Sequence, residues 1–168
     1  ELVAAIRGAP GLRRLWDWIA FIEQPIARKL GLQQDLRGDA LGKPVIIDES
    51  DGELDAFVQA RERGYRGVSS KTCKGVYRSL LNAARCAAWN RQAGAGYFFM
   101  SGEDLTTQAG LAVQQDLALV NVLGIAHVER NGHHYVNGMA ALPRMEQEAF
   151  LRAHPDLYED RLGAVRLA

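Results

Sequence analysis

The sequence is short of most features that would announce a specialised chemistry. It has two cysteines, Cys73 and Cys86, in 168 residues, too few for a disulfide framework and better suited to a reducing cytosol. Neither sign of charge is in excess, because 20 lysines and arginines meet 20 acids. Composition therefore offers no basic face for nucleic acid. No apolar run approaches the ~18 residues that a membrane span needs, and no basic segment followed by an apolar one marks a secretory leader. G-x-G-x-x-G and Walker loops are both missing, which removes the usual sequence marks of a nucleotide site. No low-complexity stretch or internal linker divides the chain. It opens on Glu1 and not on methionine, as expected for a piece of a longer or processed protein.

What is present is a repeated unit. Hydrophobic residues make up 48% and charged residues 24%, ordinary values for a soluble domain. Trp18 to Glu23 reads as an apolar strand that ends in an acid and is stopped by Pro25. Pro44 leads into a second, Val45 to Asp48, followed by Glu49 and Ser50; its unbroken apolar run suits a strand covered on both faces. A third, Tyr65 to Ser70, leads to Lys71. Glu23 and Asp48 stand 25 positions apart, and Asp48 and Lys71 stand 23 apart. Each interval is about one strand-plus-helix unit, given ~250 residues for eight such units. Two acids and a lysine thus close three successive strands.

The intervening segments read as helices. Leu2 to Trp16 is helical but divided at Pro10, and a turn or two is expected around Ala27 to Leu30. Ser50 with Glu53 makes a capping-box pattern ahead of the Leu54, Phe57, Val58 stripe, and Gly64 ends that helix. A long helix begins near Gly75 and stops at Gly94; Tyr77, Leu80, Leu81, Ala84, Ala87 and Ala88 recur at helical spacing and are expected to face the core. Tyr97 to Met100 is the fourth strand, followed by Ser101-Gly102-Glu103-Asp104 and a helix over Leu105 to Leu123 closed by Gly124. Ile125 to Glu129 is a fifth strand. Asn131-Gly132 beyond it is a strong hairpin cue that would turn the strand back over His133 to Asn137. A helix is expected from Pro143 to Ala153.

Strand and helix alternate, which predicts an α/β fold with a parallel sheet and helices outside it. Charged residues at successive strand ends favour a portion of a (β/α) barrel over an open sheet, because a closed ring points consecutive strand ends at one mouth. The expected organisation is a barrel portion over 1–137 and a C-terminal tail over 138–168.

At Ile22-Glu23-Gln24-Pro25 and Ile47-Asp48-Glu49-Ser50 the sequence resembles the enolase superfamily, in its mandelate racemase and muconate lactonizing branch. With the strand-end Lys71, the resemblance covers residues from about Trp16 to Glu129 and corresponds to the last five strands of a (β/α)7β barrel. It implies that Glu23 and Asp48 are two of three carboxylate ligands of Mg²⁺, with Mn²⁺ as the alternative ion, and that Lys71 is the acid or base. The reaction class implied is proton abstraction α to the carboxylate of a small substrate through a metal-stabilised enediolate, leading to racemisation, epimerisation, cycloisomerisation or dehydration. Hard oxygen ligands suit Mg²⁺, the ion stabilises such an anion, and a lysine beside it is disfavoured as ammonium. Two departures are visible. Ser69-Ser70-Lys71-Thr72-Cys73-Lys74-Gly75 replaces the usual Asn-x-Lys with paired glycines, which leaves the substrate open, and no histidine closes the Tyr97–Met100 strand, which points to the lysine-based branch. The third acid, the opposite-face residues and the capping domain are expected before residue 1, so these residues alone are expected to be inactive.

Other charged residues carry weaker expectations. Glu49 points away from Asp48 along a strand and is assigned to the surroundings of the ligands. Glu103 and Asp104 most simply cap the following helix, with substrate contact from Ser101 or Glu103 as the second reading. His127, His133 and His134 have no metal-ligand spacing, the register of Glu129 is open, Lys74 is a surface or helix-start residue, and no partner motif makes Cys73 a nucleophile. The alternative to an enzyme is a non-catalytic α/β domain or degenerate relative that acts as an interaction module. The expected partners are a small carboxylate substrate and a second copy of the chain, with no nucleic acid and no membrane; the expected location is the cytoplasm.

Overall fold

Val45, Ile46 and Ile47 are the apolar centre of the sheet. They form strand β2, are buried together at 5%, 0% and 0% exposure, and pair in parallel with a strand on either side. The computed structural model describes residues 2–37, 41–104, 110–135 and 137–168. The strand order is β1-β2-β3-β4-β5, with β1 over Ile22–Glu23, β3 over Gly67–Ser70, β4 over Phe99–Asp104 and β5 over Val128–Arg130. All five run parallel, so the architecture is α/β and the strands share one carboxyl end.

By packing, the chain forms two units: Glu1–Ser70 with Tyr77–Ser101, and Lys71–Val76 with Gly102–Ala168. The first opens with α1 (Leu2–Gly8), a 3-10 turn over Pro10–Leu12 and α2 (Arg13–Trp18), the break falling at the proline as expected. After β1 comes the single turn α3 (Arg28–Gly31), then β2, α4 (Ala56–Glu62), β3 and the long α5 (Val76–Ala93). Phe57, Ala60, Tyr65 and Val68 are fully buried, and Trp89 packs edge-on against Phe57 at 5.1 Å and Phe98 at 5.3 Å between ring centres. Gly67 is required by close approach: a Cβ there would stand 2.7 Å from both the Ile46 side chain and the Phe99 carbonyl oxygen.

In the second unit the later half of β4 pairs in parallel with β5, Gly102 opposite Val128 and Glu103 opposite Glu129. Helix α6 (Leu111–Leu123) ends at Gly124 in the left-handed region. The single turn α7 (Gly132–Tyr135) follows β5, and α8 covers Arg144–Ala153. An antiparallel hairpin of β6 (Tyr158–Arg161) and β7 (Ala164–Leu167) closes the chain. Tyr158 is its anchor, donating its hydroxyl to the Gly110 carbonyl at 2.8 Å and packing its ring on Phe150.

Several expectations are corrected. Trp18 ends a helix and is 79% exposed; the strand holds only Ile22 and Glu23. The Ser50/Glu53 capping box does not form, since α4 starts at Ala56 after Asp55 with no side-chain cap bond. On α5, Tyr77, Leu80, Leu81, Ala84, Ala87 and Ala88 are exposed, while Ser79, Asn82 and Cys86 are buried. A polar face can turn inward here because Ser79 bonds Ser70 and Asn82 accepts from Arg85. Glu103 and Asp104 lie inside β4 and do not cap α6, which begins at Leu111; the helix expected over 105–109 lies outside the described residues. The Asn131-Gly132 hairpin does not exist, because β5 pairs in parallel with β4 and Gly132 opens α7.

Candidate active site

Glu23, Asp48 and Lys71 stand at the carboxyl ends of β1, β2 and β3, which are consecutive neighbours. Glu23 is the last residue of β1 and lies opposite Ile46. Asp48 and Lys71 each follow the last residue of their strand. Within the first unit, Glu23 and Asp48 each offer a carboxylate oxygen, and these atoms lie within 4.8 Å of one another. Asp48 is only 4% exposed and Glu23 is half-buried. Two carboxylate oxygens this close repel when both are ionised, and a hard divalent cation held by carboxylate oxygens is one arrangement that such a pair can support.

Gln24 fixes this pair. Its backbone N–H donates to the Ile46 carbonyl at 3.0 Å, continuing the β1–β2 ladder one residue past Glu23. Its side-chain Oε1 accepts from the backbone N–H of Asp48 at 2.8 Å and of Ser50 at 3.1 Å. Its Nε2 donates to Ser50 Oγ at 2.9 Å and to the Ile26 carbonyl at 2.7 Å. Ser50 Oγ in turn donates to the Arg28 carbonyl. One side chain thereby ties the end of β1 to the turn after β2, and with it the two acids. Gln24 has φ of +38°, in the region that non-glycine residues seldom occupy, immediately before Pro25. Gly31 makes room for the arrangement, since a Cβ there would collide with Ser50 Oγ. Neither Gln24 nor Gly31 was singled out by sequence; the only available signal was a polar amide between a strand-end acid and a proline.

In the second unit Lys71 is buried at 7% exposure, and its Nζ lies 2.5 Å from Glu103 Oε2. The Glu103 side chain is itself 10% exposed, and its Oε1 accepts from Asn131 Nδ2 at 3.0 Å. This ion pair was not anticipated. Ser101 is buried at 4% and falls on the same face of β4 as Glu103, two residues on. Glu49 is exposed, on the other side of the chain from Asp48. His127, His134, Cys73 and Glu129 are exposed. The described residues include no helix long and apolar enough to cross a membrane, and both cysteines are free thiols.

No family model matches the sequence, and no curated protein does. Among solved structures, the chain is similar to a mandelate racemase/muconate lactonizing protein from Herpetosiphon aurantiacus, at a TM-score of 0.59 and 16% identity over 79% of this chain. It is also similar to a protein from Sorangium cellulosum assigned as a mandelate racemase/muconate lactonizing enzyme, at a TM-score of 0.60 and 23% identity over 80% of this chain. In both cases it spans 36% of the other protein's length. These likenesses show the fold: the chain has the architecture of part of a (β/α) barrel, similar to that of these two proteins.

Proposed function

We propose that the chain is part of a divalent-metal enzyme that moves a proton at the carbon next to a substrate carboxylate. The observation that carries the proposal is the Glu23–Asp48 pair, two carboxylates within 4.8 Å held by one glutamine at the ends of adjacent strands. In this reading both bind Mg²⁺, or Mn²⁺ in its place; an all-oxygen donor set of two carboxylates fits such a hard cation, which keeps its other positions for water or substrate. Bound there, the ion supplies the positive charge that stabilises the anion left by proton removal. Lys71 gives or takes the proton, from the end of the next strand. Ser101 and Glu103 are assigned to contact with substrate or with Lys71, and Glu49 to the exposed surroundings of Asp48. The products belong to the isomerases or lyases that work through such an anion. A cytosolic setting is part of the proposal, supported by the two free thiols. A homo-oligomer is part of the proposal as well.

The test separates ligand from base in the protein that contains this chain. Asp48→Asn replaces an anionic ligand by a neutral one and is expected to raise the Kd for Mg²⁺ by a factor of about ten or more, roughly 1.4 kcal/mol. Lys71→Ala is expected to abolish deuterium exchange at the substrate α-carbon while leaving Mg²⁺ affinity largely intact. Calorimetric titration with Mg²⁺ and exchange in D₂O read the two effects. Metal loss in Lys71→Ala, or unchanged exchange, would overturn the assignment.

A further inference from the structure

We propose that Glu103 is the positioning residue for Lys71, and that Asn131 holds Glu103 in place for that task. The inference rests on the reading of Lys71 as the acid or base, and it assigns roles that the strand-end pattern does not give to these two residues. Lysine carries its ammonium on a four-carbon stem with many rotamers, whereas proton transfer needs donor and acceptor at a fixed separation. Something must therefore hold Nζ. The backbone does this only in part, fixing the start of the stem at the end of β3, with Lys71 extended at φ −138° and ψ 138°.

The second unit supplies the rest. Glu103 Oε2 takes the ammonium at 2.5 Å, with 8% and 10% of the two side chains exposed, so water competes little for either charge. A glutamate is flexible too, and Asn131 answers that: its Nδ2 donates 3.0 Å to the other oxygen, Oε1, which fixes the rotation of the carboxylate. Asn131 can reach it because β5 runs parallel to β4 with Asp104 opposite Arg130, which puts Asn131 one residue past the end of β5. Strand, carboxylate and amide thus form a relay of fixed parts ending on Nζ. An ammonium has three N–H donors, so one held by Glu103 leaves others for the reacting partner.

Two measurements test the proposal in the protein that contains this chain. The first needs no substrate: ¹⁵N-lysine NMR of the side-chain ammonium groups, with Lys71 assigned by its loss in Lys71→Ala. The expected result is one ordered, slowly exchanging signal in the native protein that averages to the values of solvated lysines in Glu103→Gln, and a partial loss of order in Asn131→Ala. A Lys71 signal that stays ordered in both variants overturns the proposal. The second measures α-deuterium exchange with Mg²⁺ on a panel of small carboxylates that carry a hydrogen on the α-carbon. Glu103→Gln is expected to lower kcat about 100-fold, the scale for a misplacement of 1 Å, with KM and Mg²⁺ affinity held within about twofold on the same logic of a group made useful only in the transition state. A Glu103→Gln variant that instead loses Mg²⁺ shows that Glu103 acts on the ion and not on Lys71, which also overturns it. If Glu103→Gln does not fold, Asn131→Ala, which removes one neutral hydrogen bond, carries both measurements. A native protein that exchanges no member of the panel removes the enzymatic reading, while the NMR result still decides whether Glu103 orders Lys71.

Discussion

In the first packing unit Ile46, Ile47, Phe57, Tyr65 and Val68 are wholly buried, at 0% exposure each. In the second, the large apolar side chains most buried among the described residues are Leu119, Tyr158 and Met139, at 6 to 8%. The first unit couples this close packing to long-range polar ties, among them Gln24 to Asp48, Tyr65 to the Gly31 carbonyl, Arg78 to the Asp51 carbonyl and Arg85 to the Leu54 carbonyl. The second has a less deeply buried apolar core beside its own hydrogen bonds and ion pairs: Tyr158 to Gly110, Gln147 to the Leu142 carbonyl, Arg144 to Asp160, and Lys71 to Glu103. The division bears on function. The candidate metal ligands stand on the well-packed unit, where the Gln24 amide ties the turn that carries Asp48 to the end of β1. The candidate proton carrier is a long side chain in the unit with the thinner core, and there a polar partner has to fix it.

The largest expected effect breaks or confirms this contrast in packing. Phe57→Ala empties a fully buried site and is expected to cost about 3–5 kcal/mol. Leu119→Ala is expected to cost about 2 kcal/mol, the low end for a leucine, because Leu119 already borders an apolar pocket of about 430 Å³ together with Thr72, Val76, Gln115, Ala118 and Val122. Urea melts of the two variants give the comparison directly. Equal losses would mean that the second unit packs as tightly as the first.

A smaller effect is expected at the polar device of the first unit. Gln24→Ala removes four side-chain hydrogen bonds. Water can replace some of them at a half-buried position, so the expected loss is about 2 kcal/mol, the low end for four net bonds. Because those bonds hold the turn that carries Asp48, Mg²⁺ affinity should fall with stability. A variant that melts earlier yet binds Mg²⁺ as the native protein does would detach Gln24 from the metal pair.

The same contrast explains what the sequence made legible. Val45–Ile47 was readable because a fully buried strand is an unbroken apolar run, and Asp48, the acid that follows it, was readable with it. The helix over Pro143–Ala153 was readable from its length and boundaries. Where polar groups do the work, pattern fails. The inward face of α5 carries Ser79 and Asn82, which hydrogen bonds make tolerable in the core, while an alanine-rich helix leaves several faces equally apolar. Asn131-Gly132 has the residues of a tight turn, but Asn131 spends its amide on Glu103 and the chain continues as a helical turn. The β6–β7 hairpin escaped notice because its tip is Leu162-Gly163, with φ of +56° and +79°, and leucine is not a residue that announces a left-handed turn. Asp160 helps to close it by accepting from the Gly163 N–H at 2.9 Å. Side-chain links across 24 or more residues, such as Gln24 to Asp48, have no local signature at all.

The smallest expected effect lies at that hairpin, where the second unit's reliance on charge can be read against pH. Arg144 donates to Asp160 at 2.8 Å, and this hydrogen bond, followed by the Gly163 N–H and the charge of Arg144, holds the Asp160 carboxyl below its ordinary value. A carboxyl with a lowered pKa in the folded state contributes stability above the unfolded value, ~3.9, and loses it as pH falls through the folded value. Asp160→Asn should therefore lower Tm slightly at neutral pH, and the gap to the native protein should close as the solution is acidified below pH ~4. Both partners are solvent-exposed, so added salt should shrink the gap as well. A gap that widens in acid would reverse the sign of the assignment. One that ignores salt while persisting at low pH would mean that Asp160 acts through the turn at Gly163 and not through Arg144, and the hairpin would then owe its closure to local geometry.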